Sequence, residues 1–111
     1  METYQLQDAQ FQALGDATRR AILARLADDG PLPVGELARE FPISRPAVSQ
    51  HLRVLKDARL VIDSAEGTRR LYAVNPAAIE SLQKYFERFW SKALAAFQRR
   101  VEQQAKSKEE R

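Results

Sequence analysis

The side chains best suited to chemistry lie on one face of a predicted helix in the middle of the chain. If Val48 is placed at the centre of a helical face and each residue advances by about 100°, Leu52 and Leu55 fall beside it and form a buried stripe. The residues that share the outward face are Pro46, Ser49, Gln50 and Arg53. Arginine can form two hydrogen bonds with guanine, and glutamine can do the same with adenine. This face therefore predicts contact with base edges in double-stranded DNA.

Basic side chains continue this surface beyond the outward face. Arg45 and Lys56 flank that face, and Arg69 and Arg70 follow in a β-rich segment. Because Arg69 and Arg70 alternate in direction along a strand, we expect one of them to reach phosphate or the minor groove and the other to lie across the sheet. Residues 45–70 hold six basic and three acidic side chains, so they carry the whole formal charge of +3. Concentrated positive charge is typical of a phosphate-binding surface. The alternative is a set of ordinary solvated arginines.

The composition argues against most other kinds of site. The chain has no cysteine, which removes disulfides, thiolate nucleophiles and cysteine-bearing zinc sites. Its one histidine, His51, falls beside the buried stripe, so a packed histidine is favoured over a base contact, and a metal ligand is the weakest option. Paired carboxylates in a suitable pocket and phosphate-cradling glycines are also missing. We therefore expect no enzyme activity, no metal and no cofactor.

The elements that must position these residues form a mostly α-helical fold with a small β-hairpin. Asp16, Ser44 and Asn75 are suitable N-caps for three of the helices. The predicted elements are helices over 4–14, 17–27, 33–41 and 44–58, strands over 60–64 and 70–74, and a helix over 76–103. Two helices joined by about three residues predict a helix-turn-helix over about 34–58, although any helical hairpin has similar spacing. The hairpin over about 60–74 would then be a wing.

The last helix carries more apolar surface than one small core can cover. Five of the nine aromatic residues lie in it, and its apolar residues recur at steps of three and four. We expect it to pack with the helix over 4–14 in a two-fold homodimer. The expected interface residues are Leu6, Phe11, Leu82, Phe86, Phe89, Trp90 and Phe97. Burial within one chain, and a hydrophobic pocket lined by Tyr85, Phe89 and Trp90, are the alternatives.

The chain length predicts a single domain. We expect this domain, a winged helix-turn-helix with a long C-terminal dimerisation helix, to occupy residues 1–103 and to be followed by a polar, frayed tail over 104–111. No apolar stretch approaches the roughly 18 residues that a membrane span needs, and the start lacks the apolar core of a signal peptide. A cytoplasmic location without membrane contact is therefore expected.

Three segments resemble ArsR-type winged-helix repressors: ALGDATRRAIL at 13–23, SRPAVSQHLRVL at 44–55 and EGTRRLY at 66–72. The resemblance covers roughly residues 11–74. It implies a homodimeric bacterial transcriptional regulator, usually a repressor, on a near-palindromic operator. It also implies that the DNA-contacting positions are Ser44, Arg45, Pro46, Ser49, Gln50 and Arg53.

The chain departs from that family at its sensing sites. Metal-sensing members carry Cys-x-Cys where this chain has ELARE at 36–40, and others use Asp and His on the last helix, which has neither between 76 and 104. The chain thus looks closest to the metal-independent, autorepressor-like subgroup, and the sequence does not show whether a small-molecule inducer exists. The family usually has glycine where this chain has Arg59, so we predict either a strained backbone at Arg59 or a shifted helix end.

A rival interpretation comes from a different functional class. The same winged helix could serve as a protein-interaction module without reading an operator. The clustered positive charge and the acid-poor helix face favour DNA binding over this alternative.

Overall fold

The computed structural model describes the backbone of residues 2–109 and the side chains of residues 5–109. Within this range the elements are α1 (Glu2–Leu14), α2 (Ala17–Asp29), β1 (Leu32–Pro33), α3 (Val34–Glu40), α4 (Arg45–Asp57), β2 (Val61–Glu66), β3 (Arg69–Val74) and α5 (Pro76–Glu109). The mostly helical fold with a β-hairpin wing is confirmed. Two compact units make up the chain, Met1–Ile79 and Glu80–Arg111.

A dense set of hydrogen bonds fixes the corner between α1 and α2. Asp16 is the N-cap of α2, as predicted, and its carboxylate accepts from the Arg19 backbone N–H at 2.9 Å. That hydrogen bond is the main reason why the pKa of Asp16 lies below its ordinary value. The Arg19 and Arg20 side chains donate to the carbonyls of Ala13 and Leu14, both at 2.7 Å. Guanidinium groups at the C-terminal end of α1 also suit its helix dipole.

The core of the first unit lies among α2, α3, α4 and the sheet. Its largest fully buried side chains are Ile22, Leu37, Val48, Leu52, Leu55, Leu60 and Val61. They include the three residues of the predicted α4 stripe. An ion pair outside the core joins α2 to α3, because Arg25 Nε lies 2.8 Å from a carboxylate oxygen of Glu40. The orientation of α4 is thus set by apolar burial on its inner face.

The sheet has three antiparallel strands in the order β1-β3-β2. The sequence did not predict β1, which is two residues long and pairs Leu32 with Tyr72. A strand this short has no periodicity of its own and depends on β3 for its backbone partners.

The hairpin is tighter than the sequence predicted. We expected a five-residue connection, but β2 and β3 remain paired as far as Glu66 and Arg69. Gly67 has φ +63° at the first position of the resulting two-residue turn. Glycine adopts this left-handed conformation without steric cost, and such turns match the twist of a hairpin. The wing is therefore longer at its tip than expected.

Helix α5 continues to Glu109, beyond the expected end at residue 103. Residues 104–109 are glutamine, alanine, lysine, serine, lysine and glutamate, most of which are good helix formers, so a polar composition does not end the helix here. In the part of the chain that the structure describes, no helix is long and apolar enough to cross a membrane.

Candidate nucleic-acid interface

The N-terminal end of α4 is capped by its own sequence. The Ser44 hydroxyl accepts from the Ala47 backbone N–H at 3.2 Å, and the Ser44 carbonyl accepts from Val48 N–H at 3.0 Å. Pro46 lies in the first turn, where its missing N–H leaves no hydrogen bond broken. The predicted cap is therefore confirmed. Arg45 and Pro46 are exposed beside it.

The outward face of α4 and the wing line one cleft of about 570 Å³. We call it the reading cleft, and it is lined by Pro46, Ser49, Gln50, Arg53, Lys56, Asp63, Arg70 and Tyr72. All four residues predicted for the outward face are present, together with Lys56 and Arg70 from the predicted phosphate contacts. The side chains of Ser49, Gln50 and Arg53 are exposed. The cleft thus presents hydroxyl, amide and guanidinium groups to solvent along one helix face.

One acidic side chain, Asp63 on β2, lies inside the reading cleft. Its two carboxylate oxygens face different cations, with Lys56 Nζ at 3.0 Å and Arg70 Nε at 3.5 Å. The hydrogen bond from Lys56, followed by the charges of Lys56 and Arg70, lowers the pKa of Asp63 despite partial burial. Asp63 is therefore ionised at neutral pH and joins the recognition helix to the wing.

Sequence reasoning counted Asp63 only as a negative charge in a basic window. A signal was available in the strand pattern, because Asp63 shares a β2 face with the buried Val61. In the observed register Asp63 pairs with Tyr72. Arg70 lies two residues from Tyr72 and is therefore a diagonal neighbour of Asp63 on the same face. Without the register, that neighbour could not be identified.

Three predicted DNA contacts, Arg45, Arg69 and Arg70, line a neighbouring cleft of about 490 Å³, and Arg70 lines both clefts. Its lining residues are Pro33, Val34, Gly35, Glu36, Arg39, Arg45, Thr68, Arg69, Arg70 and Tyr72. Arg39 was not among the predicted contacts, because it precedes the basic window at 45–70. Four arginines against one glutamate make this second cleft electropositive, which is the character that phosphates require.

The C-terminal end of α4 closes through a left-handed residue. Arg59 has φ 60°, so the chain keeps the left-handed geometry that glycine usually provides, as the first predicted alternative requires, while the energetic cost of that geometry stays a prediction. Its N–H donates to the Lys56 carbonyl, and Leu60 N–H donates to the Leu55 carbonyl, both at 2.9 Å. These two bonds form a Schellman motif, and the buried side chains of Leu55 and Leu60 supply its apolar contact.

Side chains from elsewhere in the first unit satisfy the next carbonyls. Gln10 of α1 is buried and donates through Nε2 to the Ala58 carbonyl at 3.1 Å. Asn75 donates through Nδ2 to the Arg59 carbonyl at 2.8 Å, while its Oδ1 accepts from Ala77 N–H at 3.2 Å. Asn75 is thus the predicted cap of α5 and also a link to the end of α4. The orientation of the reading cleft depends on these contacts.

His51 lines neither cleft. It is half-buried. Among residues 5–109, no three His, Cys, Asp or Glu side chains gather in a way that could hold a metal ion.

The residues expected at a dimer interface differ in exposure. Leu6 and Phe11 of α1 are half-buried, and Leu82 is buried. The aromatic members on α5 are exposed, and Phe97 is the most exposed at 63%. The residues of this exposed apolar face of α5 are Phe86, Phe89, Trp90, Leu94, Phe97 and Val101.

The chain has a helix-turn-helix followed by a β-wing, and the outer face of α4 exposes Ser49, Gln50 and Arg53 to solvent. These features define a winged-helix DNA-binding protein. A family model described as a helix-turn-helix domain matches residues 14–63. The chain is 57% identical over 97 residues to the HTH-type transcriptional regulator Rv2034 of Mycobacterium tuberculosis, covering 87% of this chain and 90% of the relative. It is 34% identical to the transcriptional repressor SdpR of Bacillus subtilis, covering 74% and 90% of the two chains.

A solved structure shares the fold closely. The ArsR-like transcriptional regulator from Rhodococcus sp. RHA1 has a TM-score of 0.74 and 31% identity, covering 87% of this chain and 93% of that one. The chain belongs to the ArsR family of HTH-type transcriptional regulators.

Proposed function

We propose that this regulator is a repressor that binds a near-palindromic DNA operator as a homodimer. The observation that carries the proposal is the reading cleft, where Ser49, Gln50 and Arg53 present exposed hydrogen-bonding groups on one face of α4. The similarity to a protein named as a transcriptional repressor favours repression over activation. A DNA-binding repressor acts where the chromosome lies, so the proposed location is the cytoplasm.

The residues divide into two proposed roles. Gln50 and Arg53 read base edges in the major groove, because an amide and a guanidinium can each form two hydrogen bonds with a purine. Ser49 lines the same cleft and donates to a base or a phosphate. The proposed phosphate contacts, which set the register, are Ser44, Arg45, Lys56, Arg69 and Arg70. Pro46, which has no backbone N–H to donate, is proposed to pack against the DNA at the edge of the cleft.

The homodimer is proposed from the exposed apolar face of α5. Large aromatic side chains recurring at helical steps are rarely left in water on a monomer. A second copy of α5 would cover Phe86, Phe89 and Phe97 in a two-fold interface, to which Leu6 and Phe11 of α1 and Leu82 add apolar surface. Two recognition helices related in this way bind half-sites about one helical turn apart. The near-palindromic operator follows from that symmetry.

Base reading is tested by comparing two kinds of DNA in a mobility-shift assay. The specific DNA is a fragment that the unchanged protein selects from a random library, and the competitor is unselected DNA. Arg53→Ala and Gln50→Ala should each lower the preference for the selected fragment, by about 1–3 kcal/mol per lost paired contact. Arg99→Ala, which removes an exposed positive charge on α5, is the control and should leave the preference unchanged.

Two outcomes would contradict this proposal in different ways. If Arg53→Ala weakens binding to both DNAs by the same factor, Arg53 contacts phosphate and does not read a base. No binding of either DNA by the unchanged protein at low salt would favour the protein-interaction module instead.

The dimer is tested by sedimentation equilibrium. Phe97→Glu should shift the protein toward the monomer, because it places a charge in the proposed apolar interface. Lys92→Glu, an exposed position among the polar residues of α5, should leave the dimer intact. A monomeric unchanged protein would overturn the dimer without affecting the assignment of the reading cleft.

A further inference from the structure

Asp63 is an acid in a place where a DNA-binding surface is expected to be positive. Its side chain is 11% exposed, whereas its partners Lys56 and Arg70 are 51% and 60% exposed. The carboxylate is therefore held at the base of the reading cleft while the two cationic side chains extend into solvent. Among the residues that line this cleft, the acid offsets one of three positive charges.

The two ion pairs are strong enough to orient the cations and weak enough to be exchanged. Lys56 and Arg70 are more than half exposed, so water and salt screen their side of each ion pair, although Asp63 itself is largely buried. A DNA phosphate can therefore compete with Asp63 for Lys56 or Arg70. A phosphate contact made by Lys56 or Arg70 in this way must first offset the loss of the ion pair with Asp63.

This competition affects the two kinds of DNA differently. Binding to random DNA depends almost entirely on phosphate contacts and on the counterions that they release. Binding to an operator adds base contacts, which here come from Gln50 and Arg53 and do not involve the Asp63 ion pairs. On random DNA no base contact fixes the position of α4, so Lys56 and Arg70 reach phosphates in many registers only by leaving Asp63. On an operator the base contacts fix one register, in which the two cations meet phosphates from the positions where Asp63 holds them. The loss of the ion pairs therefore penalises binding to random DNA more than binding to an operator.

We propose that Asp63 is a specificity-determining positioning residue, which holds Lys56 and Arg70 across the reading cleft and thereby weakens binding to non-operator DNA. The inference rests on the proposed function. It differs from the base-reading role, because Asp63 itself contacts neither a base nor a phosphate.

The test compares Asp63→Asn with Glu66→Gln. Both variants remove one negative charge from β2, but Glu66 is exposed near the hairpin tip and pairs in register with Arg69. Asp63→Asn should strengthen binding to random DNA about tenfold at low salt and steepen the salt dependence by about one to two phosphate equivalents. The affinity for the selected fragment should rise less, so that the ratio of the two affinities falls. Glu66→Gln should change this ratio little.

Two further variants separate positioning from folding and from net charge. Asp63→Glu keeps the carboxylate and should restore most of the ratio. In a Lys56→Gln, Arg70→Gln background, Asp63→Asn should have no more effect than Glu66→Gln, because its partners are gone. Circular dichroism at the assay temperature checks that each variant is folded.

Three results would overturn the proposal. The first is an equal change in the ratio for Asp63→Asn and Glu66→Gln, which would reduce the effect to net charge. The second is weaker binding of Asp63→Asn to both DNAs. The third is an unchanged ratio in a folded Asp63→Asn protein that still prefers the selected fragment, which would reject the role of Asp63 and leave the proposed function standing.

Discussion

The two ends of α4 are held by different kinds of contact. At the N-terminal end, the hydrogen bonds are local, because the hydroxyl and the carbonyl of Ser44 accept from the backbone N–H groups of Ala47 and Val48 in the first turn of the same helix. At the C-terminal end, Gln10 and Asn75 reach the carbonyls of Ala58 and Arg59 from distant parts of the sequence. The C-terminal end is thus anchored to the rest of the first unit, whereas the N-terminal end is capped by its own sequence. The residues that line the reading cleft run along the helix between these two ends, from Pro46 to Lys56.

The largest expected effect comes from breaking the anchored end at Gln10. Gln10→Ala leaves the buried Ala58 carbonyl without its donor, and an unsatisfied buried acceptor costs about 1–3 kcal/mol. Urea denaturation followed by circular dichroism measures the loss of unfolding free energy. Gln12→Ala, at an exposed position on the same helix, is the matched control. Because alanine is the best helix former, Gln12→Ala should cause no loss. A loss for Gln10→Ala no larger than that for Gln12→Ala would mean that the hydrogen bond to Ala58 contributes nothing to stability.

The same contrast explains how much of the structure could be predicted. The local end was visible in the sequence, because Ser44 and Pro46 mark a helix start by their types and spacing alone. The left-handed residue at Arg59 was found from its position relative to the family pattern. Gln10 was missed, since nothing in a helical pattern shows which glutamine will be buried against a carbonyl 48 residues away. Strand β1 and the ion pairs of Asp63 were missed for the same reason: both depend on the pairing of distant segments.

The residues of the candidate site also divide into those that local sequence predicts and those that only the tertiary structure reveals. The outward face of α4 could be projected from helix geometry, and its four residues lie together in the reading cleft. The division of the basic residues between two clefts could not be projected, because it depends on where the wing lies. Arg39 and Asp63 enter the site only through that tertiary arrangement.

The next effect concerns the local end. Ser44→Ala removes the cap from Ala47 N–H and should lower the unfolding free energy by about 1 kcal/mol. Ser44→Asp keeps an acceptor at this position, so stability should be retained, while its negative charge should weaken phosphate binding. Thermal melts and mobility shifts on the same samples separate the two roles. If Ser44→Asp binds DNA as tightly as the unchanged protein, Ser44 does not lie near a phosphate.

A smaller effect of opposite sign is expected at Arg59. Arg59→Gly should raise the unfolding free energy by at most about 1 kcal/mol, because glycine adopts φ 60° without the steric penalty of a side chain. The melting temperature would rise accordingly. Arg59→Ala keeps the left-handed strain while removing the charge, so it should show no such gain. A gain of equal size in both variants would attribute the effect to the arginine side chain.

The smallest expected effect is a pH dependence of stability that arises near the C-terminal end of α4 and not at its N-terminal end. The Ser44 cap contains no group that titrates in acid, whereas Lys56, near the other end of α4, is paired with Asp63. Because this pair lowers the folded pKa of Asp63 below its unfolded value, the stabilisation is present above the unfolded pKa and is lost as the pH falls through the folded pKa.

Carbon-detected NMR of the Asp63 carboxyl should therefore give a midpoint below the ordinary value of 3.8. In Lys56→Met, the midpoint should move upward, since the main cause of the shift has been removed. The Ala47 amide signal should not follow the Asp63 titration in either protein, because its acceptor is the Ser44 hydroxyl. An Ala47 signal that tracks Asp63 would show that the two ends are coupled, and the division between an anchored end and a locally capped end would then not hold.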